Sequence, residues 1–427
     1  MIPASPDNDL APVLGRDGGP ASEGLGGSTS RLDAVMRPDP LPRVTSKPAP
    51  VMLAAGGTGG HLFPAEALAR ELLARGQPVL LISDRRGRAF GDAMLGVPHH
   101  RVYAATLEPG VLGALRTLVT LGIGVVQALW LMVRKKPAAV VGFGGYPSLP
   151  TVMAARLAGV SVILHEQNAV LGRANRWMAR GVSRLAISFP TVAGMPDSCR
   201  DLCVRTGNPV RSEIAAVRDS FYAPPDEGGP VRLLVMGGSQ GARVFSEVVP
   251  AALALLPVAS RARLVVSQQC RPEDLERVTA AYEGLGVGAV DLSSFFQDVP
   301  ARLAGAHLVM CRAGASTMAE LTTVGRPAIL VPYPYATDDH QTANARALAE
   351  AGGAWLMAQP DFTPQELAER LESLLAQPAD LTLAAAVARG WGASDAAQRL
   401  ADTVIEAAHG PGSGANRNHR TIWEAAE

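Results

Sequence analysis

Residues 51–61 read VMLAAGGTGGH, and residues 231–242 read VRLLVMGGSQGA. Each is an apolar run of strand length that ends in a glycine cluster with a hydroxyl residue inside it. Each then passes into a helical pattern, AEALARELLARG (65–76) after the first and FSEVVPAALALL (245–256) after the second. Glycines behind a strand let the backbone approach a ligand, and the helix that follows offers unpaired N–H groups and a positive dipole end, which suit phosphate. Neither cluster is a Walker loop, since no Gly-Lys-Ser/Thr follows, and neither fits G-x-G-x-x-G with an acidic residue placed for a nicotinamide dinucleotide. Taken singly, each is equally a tight strand-to-helix turn. Two of them, one per domain, point to a cleft with phosphate between its walls.

Outward from these turns the chain alternates short apolar runs with helical segments: PVLLIS (78–83), AAVVGFG (138–144), LPTVMAARLAG (149–159), SVILHEQ (161–167) and, after the second cluster, ARLVVSQQ (262–269). That rhythm predicts an α/β chain of parallel sheets covered on both faces. Because it restarts at residue 231, two Rossmann-like domains fit better than one long sheet. The boundary falls near TGNPVRSEI (206–214), where Pro209 disfavours helix at Asn208. A length of 427 residues exceeds what one core usually supports.

Composition excludes several classes. Hydrophobic residues make up 48% of the chain, too many for a mostly disordered one, and 39 basic residues balance 39 acidic ones, so no basic excess argues for nucleic acid. The four cysteines, Cys199, Cys203, Cys270 and Cys311, lack the paired spacing of a zinc site and read as reduced thiols. Residues 1–49, rich in Pro, Gly, Ser and Asp, read as a disordered extension, neither signal peptide nor folded unit, and 410–427 as a flexible tail.

Polar residues at predicted strand ends mark the candidate site. His61 opens the helix behind the first glycine cluster, and GFGGYPS (142–148) ends another strand of the same domain, so the two are expected on one crevice. Glu166, Gln167 and Asn168 end the strand SVILHE, where three polar side chains need partners, either a sugar's hydroxyls or the start of the next helix. In the second domain CRAGASTMAEL (311–321) makes another small-residue turn into a helix, with Glu320 one turn inside it. That carboxylate either complements the helix dipole or holds ribose hydroxyls.

The segment VLGALRTLVTLGIGVVQALWLMVRKK (111–136) carries an apolar run that closes on Arg134, Lys135 and Lys136. Three readings stand: a helix lying on an anionic membrane surface, a buried helix of the α/β domain, and a membrane span for which the run is short.

GGTGGHLFPA (56–65), GFGGYPS, HEQNAVLGRANR (165–176), GNPVR (207–211), GGSQGA (237–242), CRAGASTMAE and GRPAILVPYPYATDDHQTANA (325–345) closely resemble, in order and spacing, the MurG family of bacterial N-acetylglucosamine transferases. The resemblance covers about residues 50–408. It implies a GT-B architecture: two Rossmann-like domains facing a deep cleft, with 50–207 as the acceptor and membrane-facing domain, 208–390 as the UDP-sugar domain, and 391–409 as a terminal helix returning to the first. It implies an inverting, metal-independent hexosyltransferase without cofactor. N-acetylglucosamine would pass from UDP-N-acetylglucosamine to the 4-hydroxyl of the muramyl sugar of undecaprenyl-pyrophosphoryl-N-acetylmuramyl-pentapeptide (lipid I), giving lipid II for peptidoglycan. The site would be the cytoplasmic face of the plasma membrane, with cell-wall assembly proteins as further partners.

Carried over by motif, the resemblance implies that Thr58, Gly59, Gly60 and Asn168 contact the donor from the first domain. Arg211 and Ser239 would meet the diphosphate, and Phe296 would sit at the uracil edge. Ala315, Ser316, Thr317, Met318 and Ala319 would line the nucleotide, Glu320 would hold the ribose, and Gln341 would read the sugar hydroxyls. Gly56, Gly57, Gly144, Gly145 and Tyr146 would hold the lipid pyrophosphate. His61 is the candidate for the base or acceptor polariser, with Glu166 its rival, and the sequence does not choose between them. Arg211, Ser239 and helix-end N–H groups supply the charge compensation that a D-x-D-bound metal gives other transferases. A UDP-sugar epimerase shares the architecture but needs no lipid-facing patch. A scaffold protein would tolerate the loss of His61, Glu320 and Arg211, and all three are present.

Overall fold

The computed structural model describes residues 48–409 apart from 57–58, 85–93, 95, 107–108 and 239–240. The expected extension and tail lie outside the described residues, except for residues 48 and 49.

The first sheet is built from β1 (Val51–Ala54), β2 (Val79–Asp84), β3 (His99–Val102), β4 (Ala139–Gly142), β5 (Ser161–Glu166), β6 (Arg184–Ile187) and β7 (Cys203–Arg205). Its strands are parallel and run in the order β3-β2-β1-β4-β5-β6-β7. Central strands of a parallel sheet are covered on both faces, which is why β1 and β4 read as unbroken apolar runs and are fully buried. One face packs against α2 (Val111–Lys135), α3 (Leu149–Leu157) and α4 (Arg173–Met178), the other against α1 (Gly59–Ala74). After β7 the chain passes through residues 206–210 into the short α5 (Ser212–Ala216).

The second sheet repeats the plan with β8 (Val231–Met236), β9 (Leu264–Gln269), β10 (Ala289–Ser293), β11 (Leu308–Cys311), β12 (Ala328–Leu330) and β13 (Ala354–Leu356), again all parallel, in the order β10-β9-β8-β11-β12-β13. Its helices are α6 (Arg243–Leu255), α7 (Val258–Ala262), α8 (Leu275–Tyr282), α9 (Val299–Gly305), α10 (Ala315–Val324), α11 (His340–Glu350), α12 (Pro364–Ala376) and α13 (Pro378–Trp391). Local chemistry sets their limits. In α12, Thr363 Oγ1 caps the first turn by accepting from Glu366 N (3.3 Å), Pro364 follows at a position that needs no N–H, and Leu367, Leu371 and Leu374 recur on the buried face.

The last helix, α14 (Ala396–His409), lies on the first sheet. Its Leu400, Ala401 and Val404 join the core that α1 makes with β1, β2 and β4, and Ser161 Oγ donates to the Ala407 carbonyl (2.7 Å).

In each sheet the strand order reverses beside the first strand, between β1 and β4 and between β8 and β11. Ligands of open α/β sheets bind at that reversal, outside the carboxyl ends of the strands. All the glycine turns quoted above sit there. Gly56 follows β1 and Gly144 follows β4, while Gly237 follows β8 and Gly314 stands just beyond β11.

Helix α2 is the exception to the buried pattern. Thr117, Gly124, Ala128, Leu131 and Met132 face the protein, but Val111 (87% exposed), Leu118 (68%), Val126 (67%) and Val133 (72%) run along its outer side. The reading of this segment as a buried helix is therefore corrected: Gly124 and Ala128 let one face pack closely on α3, with Leu131 and Met132 in the core, and among the described residues nothing covers the outer apolar stripe. An 18-residue window of the helix has a mean hydropathy of 1.6, with length and composition sufficient to cross a bilayer. Lys136, in the left-handed region (φ 44°), and Pro137 close it.

Candidate active site

The first wall of the cleft is made by the turns after β1, β4 and β5. His61, third residue of α1, lies against the loop after β4: a side chain added to Gly145 would come within 3.4 Å of the His61 ring, and Gly145 has φ 72°. Gly56 is required for a similar reason, because a Cβ there would stand 2.7 Å from Pro147 Cβ. Gly60, Gly144, Gly145 and Tyr146 thus share one crevice with His61, as the parallel edge demands. Gly57, Thr58 and Ser239 lie outside the described residues.

His61 is half-buried, and its Nδ1 is 3.2 Å from Gln167 Oε1. Burial draws its pKa below that of an ordinary imidazole, against the opposing pull of the Glu166 carboxylate and the Gln167 and Phe143 carbonyl oxygens. The ring is neutral at neutral pH.

Glu166, the rival base, is placed differently. Its Oε1 accepts from Asn168 N (3.0 Å) and Asn168 Nδ2 (3.3 Å), and its Oε2 from Gly172 N (2.9 Å) and Asn175 Nδ2 (2.9 Å). Four donors occupy a buried carboxylate that offers about four lone-pair directions. The group ties the 166–175 loop together and has no lone pair turned toward a substrate hydroxyl.

The opposite wall is the second domain. Asn344, wholly buried on α11, accepts from Ala169 N (2.8 Å) and donates to Asn168 Oδ1 (3.1 Å) and the Ala313 carbonyl (3.0 Å), so one side chain joins the β5 loop to the turn after β11. Arg173 reaches across to Asp338 with its Nε 3.1 Å from both carboxylate oxygens and its Nη2 2.7 Å from Oδ1. That ion pair lowers the Asp338 pKa from its ordinary carboxylate value. Asn168 is thus bound to Asn344 of the opposite wall.

Glu320, on α10, is largely buried, and burial raises its pKa while Arg211 pulls it down. Arg211 Nε and Nη2 both meet Glu320 Oε1, at 3.0 and 2.9 Å, which leaves Oε2 for other donors. The guanidinium also lies over the Phe63 ring, 5.2 Å from its centre. Residues that motif reasoning sends to two parts of a nucleotide, Arg211 and Glu320, thus begin as partners of each other. Ala315, Ser316 and Thr317 open the first turn of α10, where N–H groups have no partner within the helix, Ala319 lies one turn in, and Ser316 Oγ is buried without a hydrogen-bond partner among the described residues.

Packing leaves two candidates only backbone contact with a ligand. The Met318 side chain belongs to the core beneath α10, and Phe296 is buried in the same core with Arg302 stacked on it at 3.9 Å, so only their backbones are presented. Gln341 Oε1 accepts from Tyr333 N (2.9 Å), fixing the 333–335 loop. Sequence reasoning placed Gln167 at the strand end without a partner, and missed His165, Asn175, Asn344 and the Arg173–Asp338 pair. The one available signal was the density of polar residues in HEQNAVLGRANR, too many for a parallel strand end without mutual partners. All four cysteines are free.

The family model for the glycosyltransferase family 28 N-terminal domain matches residues 51–187, and that for the family 28 C-terminal domain matches 232–400. Among curated proteins, the UDP-N-acetylglucosamine--N-acetylmuramyl-(pentapeptide) pyrophosphoryl-undecaprenol N-acetylglucosamine transferase of Rhodospirillum centenum is 59% identical over 366 residues, covering 86% of this chain and 96% of that protein. The protein of the same name from Paramagnetospirillum magneticum is 56% identical over 362 residues, covering 84% and 97%. Among solved structures, Acinetobacter baumannii MurG superposes with a TM-score of 0.69 at 31% identity, covering 84% of this chain and 99% of that one. With both of its sheets matched and almost the full length of those transferases spanned, the chain belongs to glycosyltransferase family 28 and, within it, to the MurG family.

Proposed function

We propose that this protein transfers N-acetylglucosamine from UDP-N-acetylglucosamine to the 4-hydroxyl of the N-acetylmuramyl sugar of lipid I, with inversion, giving lipid II. The observation that carries this is the 59% identity across 96% of a transferase of that name. The geometry supports a division of labour. His61 Nε2 takes the proton of the acceptor hydroxyl as its oxygen attacks the anomeric carbon, and the bond from that carbon to the diphosphate oxygen breaks on the opposite face. UDP leaves toward the second domain, where Arg211, the Ser239 turn and the N–H groups opening α10 offset its charge and Glu320 Oε2 takes ribose hydroxyls. Gly144, Gly145 and the 56–60 turn hold the lipid pyrophosphate by backbone N–H groups.

Labelled transfer to a short-chain lipid I analogue tests the reading: a β-linked disaccharide lipid is expected, at a rate unchanged by EDTA. Donor binding without product on lipid I would overturn the assigned acceptor.

The same reading puts the protein peripherally on the cytoplasmic face of the plasma membrane, with α2 as the contact. Its exposed apolar stripe ends in Arg134, Lys135 and Lys136, with Arg134 stacked over Trp130 at 4.4 Å, a pattern suited to an anionic surface. Leu118→Glu with Val126→Glu is expected to cut binding to vesicles containing anionic phospholipid by about tenfold or more. Transfer to a water-soluble acceptor should stay at the wild-type rate. Unchanged vesicle binding would remove α2 from this role.

A further inference from the structure

We propose that Gln167 and His165 are positioning residues that keep the proton of His61 on Nδ1 and so present Nε2 to the acceptor hydroxyl, through a hydrogen-bond chain anchored on the Gly207 carbonyl. This rests on the reading of His61 as the proton acceptor. The direction of the chain follows from its far end. His165 is wholly buried, and its Nε2 is 3.1 Å from Gly207 O, which can only accept; Nε2 therefore carries the proton. A neutral ring with its proton on Nε2 has a lone pair on Nδ1, and Gln167 Nε2 sits 2.9 Å from that atom.

The same amide nitrogen lies 3.0 Å from the Phe143 carbonyl and 3.0 Å from the His165 carbonyl. Two carbonyl oxygens, which only accept, identify this atom as the NH2 of the amide, whose two protons are shared among these three neighbours, so the other end, Oε1, is an acceptor. His61 Nδ1, 3.2 Å from Oε1, must then be the donor. Each link leaves one orientation for the next, and the last places the free lone pair of His61 on Nε2, the edge that faces Gly145. The link to Gly207 is shared with Thr206 Oγ1, which donates to the same carbonyl at 3.0 Å, and both side chains are completely buried. Burial lowers the His165 pKa to about 4, so the anchor stays neutral through the working range. The ionisable groups facing His61 are Glu166 at the end of β5, His165 on the same strand and His340 at the start of α11.

A glutamine that merely filled space would affect stability alone, whereas a tautomer-setting one affects the pH dependence. Because His61 acts as a base only when neutral, activity falls as pH drops through its pKa. Gln167→Glu places a carboxylate on the Nδ1 proton and should move the acid limb of the kcat profile upward by about one pH unit or more. Gln167→Leu removes the acceptor, lets the proton sample both nitrogens and should lower kcat roughly 10- to 100-fold with the KM for UDP-N-acetylglucosamine unchanged. In the nitrogen-15 spectrum of the full-length protein, wild-type His61 should show the proton on Nδ1 and the leucine variant a mixture. A wild-type spectrum with the proton on Nε2, or an acid limb unmoved in Gln167→Glu, overturns the proposal. Full activity in His61→Ala would instead overturn the base reading, while the wild-type spectrum would still report whether the chain sets the tautomer.

Discussion

His61→Ala is expected to reduce kcat for lipid II formation by about a hundred- to ten-thousandfold, with the KM for UDP-N-acetylglucosamine within about twofold of the wild type. The split follows from where the ring lies. It belongs to the first wall, beside Gly144 and Gly145, and the donor reading assigns it no part of the nucleotide. Removing it should therefore take away a proton acceptor needed only as the hydroxyl attacks, without loosening the ground-state complex. Glu166→Gln is the informative companion. Its carboxylate already accepts four hydrogen bonds, from Asn168, Gly172 and Asn175, so an amide there must turn an NH2 toward donors. Loss of thermal stability with a proportionate loss of activity would fit a loop anchor. A stable Glu166→Gln protein with activity as low as His61→Ala would move the base to Glu166.

Glu320→Ala should act on the other substrate. Hydrogen bonds to a buried carboxylate contribute about 1.5–3 kcal/mol, so the KM for UDP-N-acetylglucosamine should rise roughly 10- to 150-fold with a small change in kcat. The sharper readout is the nucleotide: discrimination against a 2′-deoxyribose donor should shrink in the variant, because the group that reads the hydroxyl is gone. Retained discrimination would assign Glu320 to Arg211 alone. Arg211→Ala is expected to cost about 1–2 kcal/mol of stability, since it strands a largely buried carboxylate, and the partial exposure of Arg211 (33%) limits the loss. Adding Glu320→Gln to Arg211→Ala should restore most of it, as measured by thermal unfolding.

The fold was legible because its signals are local. Apolar runs such as 51–54 and 139–142 alternate with helical patterns, and glycine turns mark the strand ends, so two parallel sheets follow from short windows of sequence. The meeting of His61 with Gly144 and Gly145 was legible as well, since residues that end neighbouring parallel strands share an edge. What the sequence hid is side-chain pairing across the molecule. Nothing near Asn168 announces that Asn344 binds it, and nothing near Arg173 announces Asp338. The fates of Glu166, Phe296 and Met318 turned on rotamers and close packing, which a motif does not encode. Helix α2 kept all three of its readings open in the sequence because its inner and outer faces are both largely apolar to a pattern reader.

One feature of the first sheet bears on how the protein is made. The face of β1 and β4 opposite α2 and α3 is finished by α14, whose Asp402 pairs with Arg75 across 327 residues of chain. During synthesis that face stays open until the whole second domain has emerged, and closing it demands one of the longest loops in the molecule. Until then Val51, Leu53, Ala139 and Val141 are shielded by α1 and neighbours such as Met94, without α14, on a growing chain that is still tethered. The amino-terminal half is thus committed to a late, non-local step, and its greatest exposure to mispairing and aggregation falls before the enzyme has any site to work with.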